Sequence, residues 1–188
     1  MRYPADHKAK TRARILEAAG RLFRRRGYHA SGVDAVMNEA GLTPGGFYAH
    51  FGSKEALLAD ALEHAAGATA AGVDATLGGL NGRAWAEGFV AYYLSESHRA
   101  AVEDGCPLAA LASEVAHAGD PVRRTFESLL LRLADRLAEG GLDRGRALAI
   151  VALCVGGLGL ARSVHDDELA GRILQASRDL AGVALERG

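Results

Sequence analysis

An all-helical fold is expected, and three observations predict it. Ala and Leu fill 63 of the 188 positions whereas Val, Ile and Thr fill 19, so residues that lose little freedom in a helix far outnumber those that favour strands. Apolar residues recur at three- and four-residue spacing in segment after segment. The punctuation falls where helices start and stop: Gly27, the GGLNG run at 78–82 and Gly140-Gly141 read as breaks, and Pro44 and Pro121 as first helical positions. About nine helices result from these signals.

Ile15, Leu16, Ala19, Leu22 and Phe23 form one stripe of a first amphipathic helix, opposite Arg12, Arg14, Arg21, Arg24 and Arg25. Ser31 with Asp34 three residues on resembles a capping box and opens a short second helix holding Val33, Val36 and Met37. Thr43 is placed to cap a third helix whose first position is Pro44. Two short helices joined by about three residues including a glycine make a helix-turn-helix, which lays its second helix in the major groove of DNA. In that helix Phe47 and Phe51 can anchor to the core, while Tyr48 and His50 point towards solvent or a partner and can donate to phosphate oxygens, with Lys54 adding charge. The charges agree: residues 1–54 carry ten Lys or Arg against four acids, and the remainder carries 12 against 19. A split of this size points to a front end that meets a polyanion, with a solvated basic face as the plainer account.

The stretch 11–57 resembles the DNA-binding region of the TetR/AcrR family of transcriptional regulators. The matching residues are Ile15-Leu16, Ala18-Ala19, Leu22-Phe23, Gly27-Tyr28, Val33, Val36, Ala40-Gly41-Leu42-Thr43, Gly46-Phe47-Tyr48, His50-Phe51 and Lys54-Glu55. Gly32 departs from the pattern, standing where the family usually has Ser or Thr. The resemblance implies that Thr43, Gly45, Tyr48 and His50 meet DNA, that Lys54 binds a phosphate, and that Lys8, Lys10 and Arg12 serve as a basic arm. Ser31, at the head of the second helix, joins this contact set. It implies a helix-turn-helix domain at 1–52 and a helical ligand-binding and dimerisation domain at 53–188.

A fourth helix begins near Ser53, with Leu57, Leu58, Ala61, Leu62 and Ala65 on one face. A helix over 83–97 carries Trp85, Phe89, Tyr92 and Tyr93, the EDGCP loop at 103–107 comes next, and then a short helix with Leu108, Leu111, Ala112 and Val115. Asp120 caps a helix striped by Val122, Phe126, Leu129, Leu130, Leu133 and Leu137. A small-molecule pocket is expected among Trp85, Phe89, Tyr92, Tyr93, Leu111, Phe126, Leu130 and Cys154, with polar groups from Tyr92, Tyr93, His98 or His117 and a small hydrophobic effector as occupant. Ordinary core packing is the competing account of the same residues.

The last two helices are expected over 143–164 and 166–187. The first is apolar nearly all round between Ala147 and Ala161, so part of its surface is expected to meet a second subunit, and Gly156, Gly157 and Gly159 permit close approach. Leu148, Val151, Val155 and Leu158, with Leu169, Ile173 and Leu180, are the expected interface of a homodimer. Its 15-residue apolar run is shorter than the ~20 residues of a membrane span, the N-terminal stretch has no apolar signal segment, and two cysteines imply no disulfide framework, so a cytoplasmic protein with no membrane partner is expected.

Catalytic and cofactor motifs are missing. Gly157 opens a G-x-G-x-x-Arg run without the third glycine of a dinucleotide fingerprint, the acids at 166–168 suit a helix start better than a metal site, and no H-E-x-x-H or nucleophile elbow occurs. The expected function is therefore a non-enzymatic, ligand-responsive regulator, most simply a repressor, binding a palindromic double-stranded operator as a dimer without cofactor or metal. Two alternatives stay open: a redox sensor using Cys106 in its Gly/Pro-flanked loop, and a helical ligand-binding protein that does not bind DNA.

Overall fold

The computed structural model describes residues 5–186; Arg2, one of the basic residues of the front end, and Arg187, at the expected end of the last helix, lie outside them. Among the described residues there are nine α-helices, one 3-10 helix and no strand. In order they are α1 (Ala5–Arg26), α2 (Val33–Glu39), the 3-10 helix (Pro44–Ala49), α3 (Lys54–Leu77), α4 (Gly82–Tyr93), α5 (Glu96–Ala100), α6 (Pro107–Val115), α7 (Asp120–Ala138), α8 (Arg144–Ser163) and α9 (Asp167–Glu186).

The front unit closes as the stripe of α1 requires. Ile15, Leu22 and Phe23 are buried against Val36, Met37, Phe47 and Phe51 and against Leu57, Leu58 and Ala61 of α3. Gly27 ends α1 at φ +85, a left-handed conformation that a side chain resists, and its N–H donates to Phe23 O at 2.9 Å. Ser31 does not cap α2. Gly32 takes the N-cap position without a side-chain bond, and the Ser31 hydroxyl, 1% exposed, turns back to donate to Gly27 O at 2.7 Å. Thr43 does hold the N-cap position before Pro44, again without a side-chain bond, and the segment it opens is a 3-10 rather than an α-helix. Two glycines in six residues leave too little propensity for a full α-helical turn.

Ser53 caps α3 by accepting the Ala56 N–H at 3.0 Å, and α3 runs on for 24 residues, packing against α1 and against α4, α6 and α7. It therefore belongs to both halves of the chain. The helix expected over 83–97 stops at Tyr93, because the Ser95 side chain accepts the His98 N–H and starts α5. Gly119 rather than Asp120 is the N-cap of α7. Asp143 and Asp166 do cap the last two helices, accepting the N–H groups of Arg146 and Leu169 at 3.0 and 2.8 Å.

Helix α8 packs on α7 and α9, with Ala147, Ile150, Val151, Cys154, Leu158 and Ala161 buried. The whole helix is 20 residues long and holds an 18-residue stretch with a mean hydropathy of 1.5, enough by length and composition to cross a membrane, which corrects the reading that its apolar run is too short. Those buried residues are covered by the chain's own helices. Of its glycines only Gly157 mediates a close crossing: a Cβ there would lie 2.9 Å from Ser177 Cβ on α9, whereas Gly156 faces open space.

Candidate nucleic-acid interface and interior cavity

The 3-10 helix presents its polar side outwards because Phe47 and Phe51 stack on one another, centroids 5.7 Å apart, and hold its other side in the core. Thr43 and Gly45 are exposed, nothing lies within 4 Å of a Cβ placed on Gly45, and Tyr48 is 75% exposed. Among the described residues Tyr48 meets only the Phe47 ring, edge on, so its hydroxyl is open to a partner. His50 caps this segment half-buried. Burial pulls its imidazole below the usual histidine value, and the charges of Lys8, Arg12 and His7 act in the same direction, so these side chains form one cluster at the start of α1. A neutral His50 offers one N–H to an anion there.

The basic arm is not an arm. Lys8, Lys10 and Arg12 lie in the first turns of α1, where Lys10 pairs with Asp6 at 2.8 Å and Arg12 pairs with Asp60 at 2.5 Å while lying 4.8 Å over the Phe51 ring. The arginine face behind them turns inward too. Arg14 donates to Ala40 O, Arg24 to Glu103 O at 2.5 Å, Arg21 pairs with Glu103 and Asp104, and Arg25 bridges Glu39 and Glu103. Much of the basic excess of residues 1–54 therefore holds α1 to α2 and to the loop at 101–105, which a charge count cannot reveal. Lys54 has an internal role as well. Its ammonium donates to Tyr28 O at 2.6 Å and sits 4.1 Å over the Tyr28 ring, leaving two donors for any phosphate. Ser31 is buried, and its hydroxyl is turned to Gly27 O rather than outward.

Behind this unit a cavity of about 420 Å³ opens between α3, α4, α7 and the head of α6. Trp85, Phe89 and Tyr93 line it as expected, with Trp85 and Phe89 stacked at 5.1 Å. Tyr92, Leu111, Phe126, Leu130 and Cys154 do not line it. Tyr92 stacks on His98 instead, Leu111 and Cys154 are buried core, and α7 turns Leu129 and Leu133 to the cavity rather than Phe126 and Leu130. The stripe of α7 is wider than one cavity wall, so periodicity alone does not say which edge faces it. The second half of α3, with Ala66, Ala70, Val73 and Asp74, forms a wall that the sequence reading missed. His117 is exposed at the end of α6, and His98 is buried behind the cavity, its Nδ1 bonded to Tyr93 O at 2.8 Å and its Nε2 accepting the Cys106 N–H at 3.1 Å.

Cys106 does line the cavity, but it is 6% exposed, and burial pushes its thiol above the ordinary cysteine value. A sheltered thiol with a raised value gives the redox alternative no support.

The expected dimer residues divide. Val151 and Leu158 are buried in the chain's own core, and Leu148, Val155 and Ile173 are half-buried, whereas Leu169 and Leu180 are exposed. Ala149, Ala152 and Leu160 on α8 and Val183 on α9, which the sequence reading did not pick out, complete an outward apolar face together with Gly156, which it did. A helix apolar all round conceals which side its own neighbours cover.

Residues 15–61 match the model of the tetR family of bacterial regulatory proteins. An HTH-type transcriptional regulator of Mycobacterium tuberculosis (strain CDC 1551 / Oshkosh) is 30% identical over 169 residues, 82% of this chain and 86% of that protein. The HTH-type transcriptional regulator UidR of Escherichia coli (strain K12) is 44% identical over 48 residues, 26% of this chain, and YerO of Bacillus subtilis 43% over 51. Those two matches span only 24% and 18% of the relatives' own length. Among solved structures, a TetR-family regulator from Cytophaga hutchinsonii superposes with a TM-score of 0.76 over 94% of this chain and 95% of its own, at 19% identity. The reduced form of E. coli NemR does so at 0.71, over 92% and 95%, at 21%. Fold, motif and near full-length relationship agree: the chain belongs to the tetR family of bacterial regulatory proteins.

Proposed function

We propose that the protein is a cytoplasmic repressor that binds a palindromic double-stranded operator as a homodimer and is released from it by a small, largely hydrophobic effector in the cavity. DNA is met by Tyr48, Thr43 and Gly45 of the 3-10 helix and its cap, with His50, Lys8, Lys10 and Arg12 at the start of α1 and Lys54 on the phosphate backbone. The outward apolar face of α8 and α9 pairs with its copy, so that two recognition segments sit ~34 Å apart, one turn of DNA. Residues 1–52 act as the reading head and 53–188 as the sensing and pairing domain, joined by α3.

The observation that carries the switch is the reach of α6. Its first residues, Pro107 and Leu108, line the cavity, and Glu114 in its last turn accepts the Tyr28 and His29 N–H groups at 2.6 and 3.1 Å, holding the turn before α2. Just beyond α6, the Gly119 N–H donates to Glu55 Oε1 at 2.7 Å at the head of α3. A ligand that displaces α6 thus moves the reading head, and it releases DNA by as much as its affinities for the two positions differ.

The test is binding to duplexes from the region flanking the protein's own gene. The reading predicts a palindromic site, a log–log salt slope of about −0.9 for each neutralised phosphate, weaker binding for Tyr48→Ala with unchanged thermal stability, and release by hydrophobic small molecules. A protein that binds no inverted repeat in that region overturns the reading and leaves the ligand-binding alternative in its place.

A further inference from the structure

The cavity carries its open polarity at one end. At the closed end Phe89, Leu108 and Leu129 are buried, and the Tyr93 hydroxyl is bonded to the Cys106 thiol, so those two polar groups already serve each other. At the mouth the lining changes: Asp74 on α3 and Arg132 on α7 are exposed, and Arg136 is half-buried beside them. An amphiphile with its chain inward and its headgroup at the mouth matches this division, since a polar head at the closed end would lose water and gain no partner.

The two arginines decide the sign of that headgroup. They stand four residues apart on α7, hence on one face with Cβ atoms about 6 Å apart, and both line the cavity. Trp85 sets Arg136 in place, the guanidinium carbon lying 4.7 Å from the ring centre. Arg132 reaches across the mouth to Glu63 on α3 at 2.6 Å. Each guanidinium has five N–H donors, and one nitrogen is engaged on each, Arg132 with Glu63 and Arg136 with Glu139. Neither glutamate lines the cavity, and their side chains are 52% and 56% exposed, so these are surface pairs that hold little and yield to another carboxylate. A ligand cation is served worse. Asp74, the acid among the lining residues, already accepts the Trp85 indole N–H at 3.1 Å, and Arg136 occupies the indole face that a cation would seek.

We propose that the mouth of the cavity is a carboxylate site, in which Arg132 and Arg136 together hold the headgroup of a medium-chain acid whose alkyl chain runs along Phe89 and Leu129 towards the closed end. This rests on the cavity being the effector site and adds the chemical class that the site selects. The acid accepts from N–H groups that Glu63 and Glu139 leave free, and a glutamate that it displaces turns to water at little cost. An ester or alcohol of the same chain fills the cavity without using the arginines, and an amine meets their repulsion.

Trp85 is the only tryptophan of the chain and lines the cavity, so its fluorescence reports occupancy without any operator. The probes are octanoate, methyl octanoate and octylammonium, titrated at low and high salt into the wild type, Arg132→Gln and Arg132→Lys. Octanoate should bind the glutamine variant about three- to fivefold more weakly than the wild type. The lysine variant should recover part of that loss, since it keeps the charge without the planar fork. Salt should weaken octanoate and spare the ester. Methyl octanoate should bind all three proteins alike, which shows that the cavity is intact in the variants and separates a free acid from an esterified one. Octanoate affinity unaltered by Arg132→Gln, an equal loss for the ester, or octylammonium as the tightest of the three ligands each overturns the carboxylate site while leaving the cavity as a ligand site. If none of the three perturbs Trp85, the cavity reading fails and the carboxylate site with it.

Discussion

Glu114 is the residue through which α6 grips the reading head, and removing its carboxylate has a calculable consequence. It accepts two backbone N–H groups, Tyr28 at 2.6 Å and His29 at 3.1 Å, across 86 and 85 residues of chain. Hydrogen bonds to a charged acceptor are worth about 1.5–3 kcal/mol each when sheltered. Glu114 is half-buried and both N–H groups can turn to water, so Glu114→Ala should cost about 2 kcal/mol in all rather than the full sum. For a chain of this length that is a fall of roughly 4–8 °C in melting temperature, read by circular dichroism. Glu114→Gln keeps an acceptor oxygen in place and should recover about half of the loss, because a neutral acceptor forms the weaker bond. Operator affinity should fall further than stability alone explains, since the turn at 27–29 sets the angle of α2. An alanine variant that melts within a degree of the wild type and binds DNA normally would refute the idea that α6 holds the head.

Gly27→Ala should destabilise by about 1–2 kcal/mol, because φ +85 opposes a side chain and the new Cβ would collide with Glu114 Oε1; combined with Glu114→Ala the losses should be less than additive, measured by a double-mutant cycle in urea. Leu160→Asp and Leu180→Asp, at residues 61% and 56% exposed on α8 and α9, should each turn a sedimenting dimer into a monomer with its helix content intact, and a wild type that sediments as a monomer would remove the pairing face. Burial lowers the His98 value in the folded protein below that of the unfolded chain, so the unfolded state binds more protons in that window. Stability should therefore be full above about pH 7 and decline as pH drops through the usual histidine range near 6.5, seen as a falling melting temperature between about pH 7 and 5. His50 is shifted in the same direction, and a phosphate placed beside it would raise its value again, so DNA binding should tighten on mild acidification until that unfolding begins.

The reading head was largely legible because its information is local. The stripe from Ile15 to Phe23, the left-handed stop at Gly27 and the run from Ala40 to Lys54 each act within one or two turns, and Phe47 and Phe51 lie buried while Tyr48 stands free, as their spacing implies. The errors there also have local causes. The Ser31 hydroxyl had two possible partners, a following N–H or a preceding carbonyl, and it takes the latter. The arginines of α1 were counted as a surface, yet acids and carbonyls brought from residues 40, 60 and 103 claim them.

Composition, spacing and breakers were thus sufficient for an all-α chain with a helix-turn-helix at its front, because helix formation and capping depend on near neighbours. Which side of α7 faces the cavity and which side of α8 lies outward depended on packing. A stripe wider than a helix face, or a helix apolar all round, fits several rotations equally well, and only the surfaces of α3, α4 and α9 select among them. The sequence determined the elements and their order; the tertiary structure decided how each was turned, and with that the lining of the cavity and the outward apolar face of α8 and α9.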